Sequence, residues 1–190
     1  MNIGGLNLYI LDSADTEDRA TPPAAVELFS SQLDALKDQL KTKPGWIVTH
    51  RPIWGLVPVA RVGSLPPVEA ALNLTEQTAV RGHDLSAVTM VVSGHIHLFA
   101  SFNFGPSRPA QLIAGTGGDI GETGEVKTLR TAHVDLDGQG ADMTTFNRYG
   151  FLILDRSGAD WAGDFYDLDD KVVARCRLHA RALTCTAVKP

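Results

Sequence analysis

Two short apolar runs that each end in a histidine constrain this 190-residue chain more than any other feature. Trp46-Ile47-Val48-Thr49 delivers His50, and Val91-Val92-Ser93 passes through Gly94 to His95-Ile96-His97. Runs of this length, bounded by glycine and proline, read as short buried strands. Residues two apart in an extended backbone point to the same side, so His95 and His97 are expected to present two imidazoles on one face at a strand end. Neutral imidazole suits zinc, iron, manganese, nickel or copper, and the pair has a metal-gripping pattern. The plainer reading is a pair of exposed or hydrogen-bonded histidines. His50 is placed like His95, and Arg51-Pro52-Ile53-Trp54-Gly55 after it forms a stiff turn that turns the backbone away from the strand.

The rest of the chain supplies a layered setting for these strand ends. Leu6 to Leu11 reads as a strand that empties into an acidic loop, Asp12 to Asp18, with Asp12 a loop-capping carboxylate. Pro22-Pro23 opens a helix on which Val26, Phe29, Leu33, Leu36 and Leu40 recur at steps of three and four, closing at Lys43-Pro44-Gly45. Leu56 to Pro67 reads as a surface loop framing a cleft, Val68 to Val80 as a helix, and His83 as a solvated turn residue. Ala110 to Ala114 is a further strand. Gly115-Thr116-Gly117-Gly118-Asp119 after it lacks the lysine of a phosphate-binding loop and reads as a tight turn lining the cleft. Gly121 to Phe146 is polar and aperiodic, and is expected to be a long loop with His133 at the surface. From residue 149 the texture changes to short strands, Phe151 onward, Trp161 to Tyr166 and Lys171 to Leu178, an antiparallel meander with His179 on its surface.

A net charge of -5 without a basic stripe excludes nucleic acid as the natural ligand, and no apolar run is long enough to span a bilayer as a helix. Cys176 and Cys185 lie far from the histidines and form either a disulfide or two buried thiols. The first residues lack the pattern of a secretory signal and leave the compartment open.

The order strand, helix, strand with Thr49-His50-Arg51-Pro52, strand with Gly94-His95-Ile96-His97, then a glycine-rich turn resembles the C-terminal half of the calcineurin-like metallophosphoesterases. That group includes purple acid phosphatases and cyclic-nucleotide phosphodiesterases. The resemblance covers Leu6 to Asp119. It implies an α/β fold, part of a four-layer α/β/β/α sandwich, with residues 1–148 forming the half-domain and 149–190 the meander that completes or flanks it. It also implies hydrolysis of a small-molecule phosphoester by two divalent or trivalent ions, manganese, iron or zinc. Carried over, His50 and His95 would bind one ion and His97 the other.

The family's Asp-x-His, Gly-Asp-x-x-Asp and Gly-Asn-His motifs do not occur in this sequence, and the only residues before His50 that could substitute, Asp12, Asp15, Glu17 and Asp18, sit in one loop rather than on separate strand ends. The chain therefore reads as a truncated phosphoesterase that holds at most one ion weakly, with open sheet edges prone to association. A non-catalytic binding module with a vestigial or single-metal site is the alternative. Completion by a second chain supplying the carboxylates is a third reading.

Overall fold

The computed structural model describes residues 1–58, 69–118 and 129–188. Its organising element is an eight-stranded sheet. Four of its strands run parallel: β2 (Leu6–Leu11), β3 (Gly45–Thr49), β6 (Val88–Ser93) and β8 (Ala110–Ala114). The short β1 (Asn2–Ile3) pairs antiparallel on one side, and β7 (Phe99–Asn103), β10 (Gln139–Phe146) and β9 (Arg130–Leu136) extend the other side antiparallel. The parallel strands present all their carboxyl ends at one rim of the sheet, the rim where ligands gather in open α/β folds.

Each face of the sheet carries its own core. Tyr9, Ile47, Val91 and Ile113 point to the side covered by α1 (Pro23–Ala35), α2 (Lys37–Thr42) and α3 (Leu74–Val80), where Phe29, Leu33 and Leu40 are fully buried. The expected helical face is correct, but the helix breaks in two at Leu36, whose φ of -108° and ψ of 2° leave the helical region. On the other side Met90, Phe99 and Leu112 meet Phe165, Ala174, Cys176 and Leu178. Those residues come from a separate antiparallel sheet of β11 (Gly150–Ser157), β12 (Asp160–Asp167), β13 (Val172–His179) and β14 (Ala182–Ala187), the anticipated meander.

The described residues thus stack in three layers, helices, large sheet and small sheet. The chain is mixed α/β and mostly sheet, and the expected fourth layer does not form among them because no helix covers the outer face of the small sheet. Phe151 and Ile153 on β11 stay about half exposed, at 50% and 45%.

Three expectations need correction. Glu69–Leu72 is not the start of a helix but β5, paired with β4 (Gly55–Pro58), and helix begins only after Asn73, whose φ of 63° interrupts the chain. The segment after residue 129 is not a loop but the β9–β10 hairpin, turning through Asp137 and Gly138 at φ 54° and 70°. An Asp-Gly pair with both residues at positive φ is the preferred two-residue hairpin turn, because its twist matches that of the strands. His83 is half-buried and hydrogen-bonded with Ser30 Oγ at 2.9 Å rather than solvated. Residues 59–68 of the expected cleft loop and helix, and residues 119–128 of the glycine-rich turn and the long loop, lie outside the described residues.

Cys176 and Cys185 stand directly opposite on β13 and β14 and are joined as a disulfide. Its loop is short, with a sequence separation of nine, and the strands are already paired. Reduction is expected to cost about 2 kcal/mol, the low end of the usual range. Thermal melts with and without reductant check this, with the double variant Cys176→Ser, Cys185→Ser matching the reduced protein.

Candidate functional site

His50 follows β3 directly, and Gly94-His95 follows β6, its neighbour in the sheet. The Gly94 amide donates to the His50 carbonyl at 3.1 Å, so the two strand ends are locked in step. Their imidazoles lie 5.1 Å apart between ring centroids, at 68°. The structure therefore brings His50 and His95 together.

The route by which His95 arrives differs from expectation. β6 stops at Ser93, and His95 sits at φ 63°, in the left-handed region that a non-glycine residue seldom adopts. The alternation of an extended strand does not apply there, so a shared face does not follow from the spacing of His95 and His97. Two tight backbone bonds, Ile96 N to Gly94 O at 2.7 Å and Leu98 N to Ile96 O at 2.8 Å, coil the motif instead. His95 is half-buried while His50 and His97 are exposed. Gly115 presses on this coil: its amide donates to Leu98 O at 3.1 Å, and a β-carbon there would lie 2.0 Å from Ile96 O. The glycine-rich turn does line the site, through Gly115.

Buried polar groups hold the rim in place. Ser13 Oγ accepts from the Arg51 amide at 3.0 Å and from Thr49 Oγ1 at 3.0 Å, fixing the chain on both sides of His50. Gln111 of β8, fully buried, accepts through Oε1 from the amides of Ile53 and Trp54 at 3.1 and 3.3 Å and donates to Ser93 Oγ at 3.0 Å. One amide side chain thereby braces the turn after His50 against the strand before His95.

Asp18, one of the carboxylates of the acidic loop, and Arg51, next to His50, meet His95 at the site. Asp18 hydrogen-bonds Arg51, and His95 Nε2 lies 2.9 Å from Asp18 Oδ1 and 3.1 Å from Arg51 Nη1. A protonated Nε2 donates to Asp18, whereas a bare Nε2 accepts from Arg51, so the protonation of this ring selects its partner. Burial is the largest influence on His95 and, with Arg51 and His50 nearby, holds its pKa below the ordinary imidazole value against the pull of Asp18. Spacing could not single out Asp18 from its acidic loop as the partner of His95, 77 residues away.

Glu76 of α3 is fully buried, and burial raises its carboxyl pKa. Its partner Thr16 has one hydroxyl proton and a second acceptor, the Ser13 carbonyl at 2.8 Å. A raised folded pKa means that the native state holds the Glu76 proton more tightly, so stability is greatest at low pH and falls as pH climbs from the unfolded value through the folded one. Glu76→Gln is expected to remove that decline and to melt above the wild type at neutral and alkaline pH, as thermal melts across pH will show.

These residues do not by themselves make a metal centre. Among the described residues no three His, Cys, Asp or Glu side chains gather in a metal-holding group, and Arg51 places a cation beside the ring nitrogen of His95. What they do make is a polar rim with two adjacent imidazoles, a carboxylate and a guanidinium, chemistry suited to oxyanions as well as to ions.

Over its whole length the chain superposes on a solved structure described as PhoD, with a TM-score of 0.57 and 11% identity. The fold is shared with PhoD. The chain spans 44% of that protein's length. No family model and no curated protein sequence matches it.

Proposed function

We propose that this chain is the carboxyl-terminal half of a metal-dependent phosphoester hydrolase, and that His50, His95 and His97 are its share of a dinuclear ligand set. The placement of His50 and His95 carries the reading: two histidines on adjacent parallel strand ends, 5.1 Å apart, in a chain that shares its fold with part of PhoD. Histidine alone does not balance the charge of two ions, so the remaining ligands are carboxylates from outside the described residues. In the complete enzyme the ions are manganese, iron or zinc; this chain holds at most one, weakly. Arg51, released from Asp18, is positioned to neutralise a phosphoryl oxygen, and the substrate is a small phosphoester.

A second reading is favoured by Arg51 itself. A guanidinium bonded to Asp18 and touching His95 occupies the ligand atoms and fits a non-catalytic module whose metal site is vestigial. Hydrolysis of an aryl phosphate with added manganese or zinc separates the two. The first reading expects turnover that is lost in His95→Ala, from this chain or on mixing with a chain carrying the missing carboxylates. The second expects no turnover in either case and no bound metal.

A further inference from the structure

Exposed apolar side chains gather on one flank of the molecule, where both sheets end. β1 and β2 close one end of the large sheet, and β11 closes one end of the small sheet. Arg156 of β11 donates to the Gly4 carbonyl in the β1–β2 turn at 3.2 Å, so the two ends lie on the same side. α1 borders them, because Gln32 bonds the backbone of Asp12 just past β2, and Leu28 lies one turn before Gln32 on the same helix face. Ile3, Ile10, Leu28, Phe151 and Ile153, between 45% and 59% exposed, therefore line this flank through all three layers. The opposite edge of the large sheet, β9, exposes Arg130, Thr131, His133 and Asp135 instead.

The two edges on this flank are not equally open. In the large sheet, Met1 exchanges backbone bonds with Leu8. The Gln32 side chain accepts from the Asp12 amide at 2.7 Å and donates to its carbonyl at 2.8 Å, as a neighbouring strand would. A strand turns its backbone groups to alternate sides, so between Leu8 and Asp12 only Ile10 keeps a free N–H and C=O on that edge. In the small sheet, β11 pairs with β12 through all eight residues, and its other edge meets no strand. It carries no proline or lysine, and its charges, Asp155 and Arg156, stand at its far end. The devices that keep edge strands apart are therefore missing from Gly150 to Leu154.

We propose that this flank is the interface of a two-fold homodimer in which β11 pairs antiparallel with β11 of a second copy. A strand edge is its own complement, since a two-fold axis sets its free donors against the same strand's free acceptors. Centred on Ile153, the pairing places Ile153 against its counterpart and Leu152 against the partner's Leu154. Asp155 then stands opposite the partner's Phe151 and Arg156 opposite the partner's Gly150, so no like charges face each other. The chain exposes 9878 Å² for a mass of 20.4 kDa, whereas a folded monomer of that mass exposes about 8,800 Å². The excess of about 1,000 Å² matches the roughly 800 Å² that each partner buries in a standard interface. The interface is independent of the histidine rim and of the phosphoesterase reading.

Sedimentation velocity of the full chain over a dilution series tests the proposal. A species of twice the chain mass is expected at the concentrated end, giving way to the monomer on dilution. Ile153→Lys sets two like charges against each other at the axis and should raise the dissociation constant at least about tenfold, while Thr131→Lys on β9 leaves it unchanged. Amide exchange supplies a reading that requires no variant: exchange in β11 slows as concentration rises, and exchange in β9 does not. A single-chain mass at every concentration overturns the proposal. So does assembly beyond two copies, a dimer that survives Ile153→Lys, or one in which β11 exchanges as fast as in the monomer.

Discussion

Phe165→Ala is expected to destabilise the chain by about 3–5 kcal/mol, the usual cost of emptying an aromatic site in a packed core. Phe165 is fully buried where the small sheet meets the large one, with ring centroids 5.5 Å from Phe99 and 4.8 Å from Phe146. Those two rings stack on each other at 4.6 Å, so the three form one cluster drawn from β7, β10 and β12. Deleting one member strips edge contacts from both others, and neither neighbouring strand can collapse into the space without leaving its ladder. Urea unfolding followed by tryptophan fluorescence reads the effect, because Trp46 of the large sheet and Trp161 of the small one lie 4.7 Å apart across the same seam. One transition displaced to lower urea is the expected result. Two separated transitions would show that the small sheet folds as its own unit.

The second large effect is expected at Gly115. Alanine there would place a carbon 2.0 Å from the Ile96 carbonyl, a backbone atom that cannot swing aside as a side chain does. The coil from Gly94 to Leu98 must shift bodily, at a cost of about 3 kcal/mol, the upper part of the range for overpacking. The loss falls first on the site: the Gly115–Leu98 bond goes, and with it the placement of His95 against His50. Thermal melting measures the stability cost, and the ring proton shifts of His50 and His95 report the displacement. A variant with unaltered histidine shifts would mean that Gly115 does not position the motif.

Much of the scaffold was legible because it rests on local rules. The helical stripe of Phe29, Leu33 and Leu40, the buried runs at 45–49 and 88–93, and the antiparallel meander all follow from apolar periodicity. The β9–β10 hairpin was also readable in principle. Val134 and Leu136 alternate with exposed residues ahead of Asp137-Gly138, but the polar content of the segment masked that pattern. The breaks at Leu36 and Asn73 were not readable, since each is a single residue whose backbone is set by its tertiary surroundings.

The site divides the same way. His50 and His95 stand out because histidine at the end of an apolar strand is conspicuous in sequence. Glu76 does not, and neither does the pairing of Asp18 with Arg51 and His95, because these contacts join segments far apart in the chain. Gln111 is hidden for the same reason: nothing about an isolated glutamine in an apolar strand announces that it braces a turn some 57 residues away.

Zinc titration of the chain followed through its histidine ring signals by NMR tests the central claim most directly. His50, His95 and His97 should shift together and saturate, with His83, His133 and His179 unmoved; Asp18→Asn should alter the response by freeing Arg51 and His95 from their shared carboxylate. If the ring signals of His50 and His95 stay fixed while zinc is added, or if only the surface histidines respond, the two strand-end histidines are not part of a metal site.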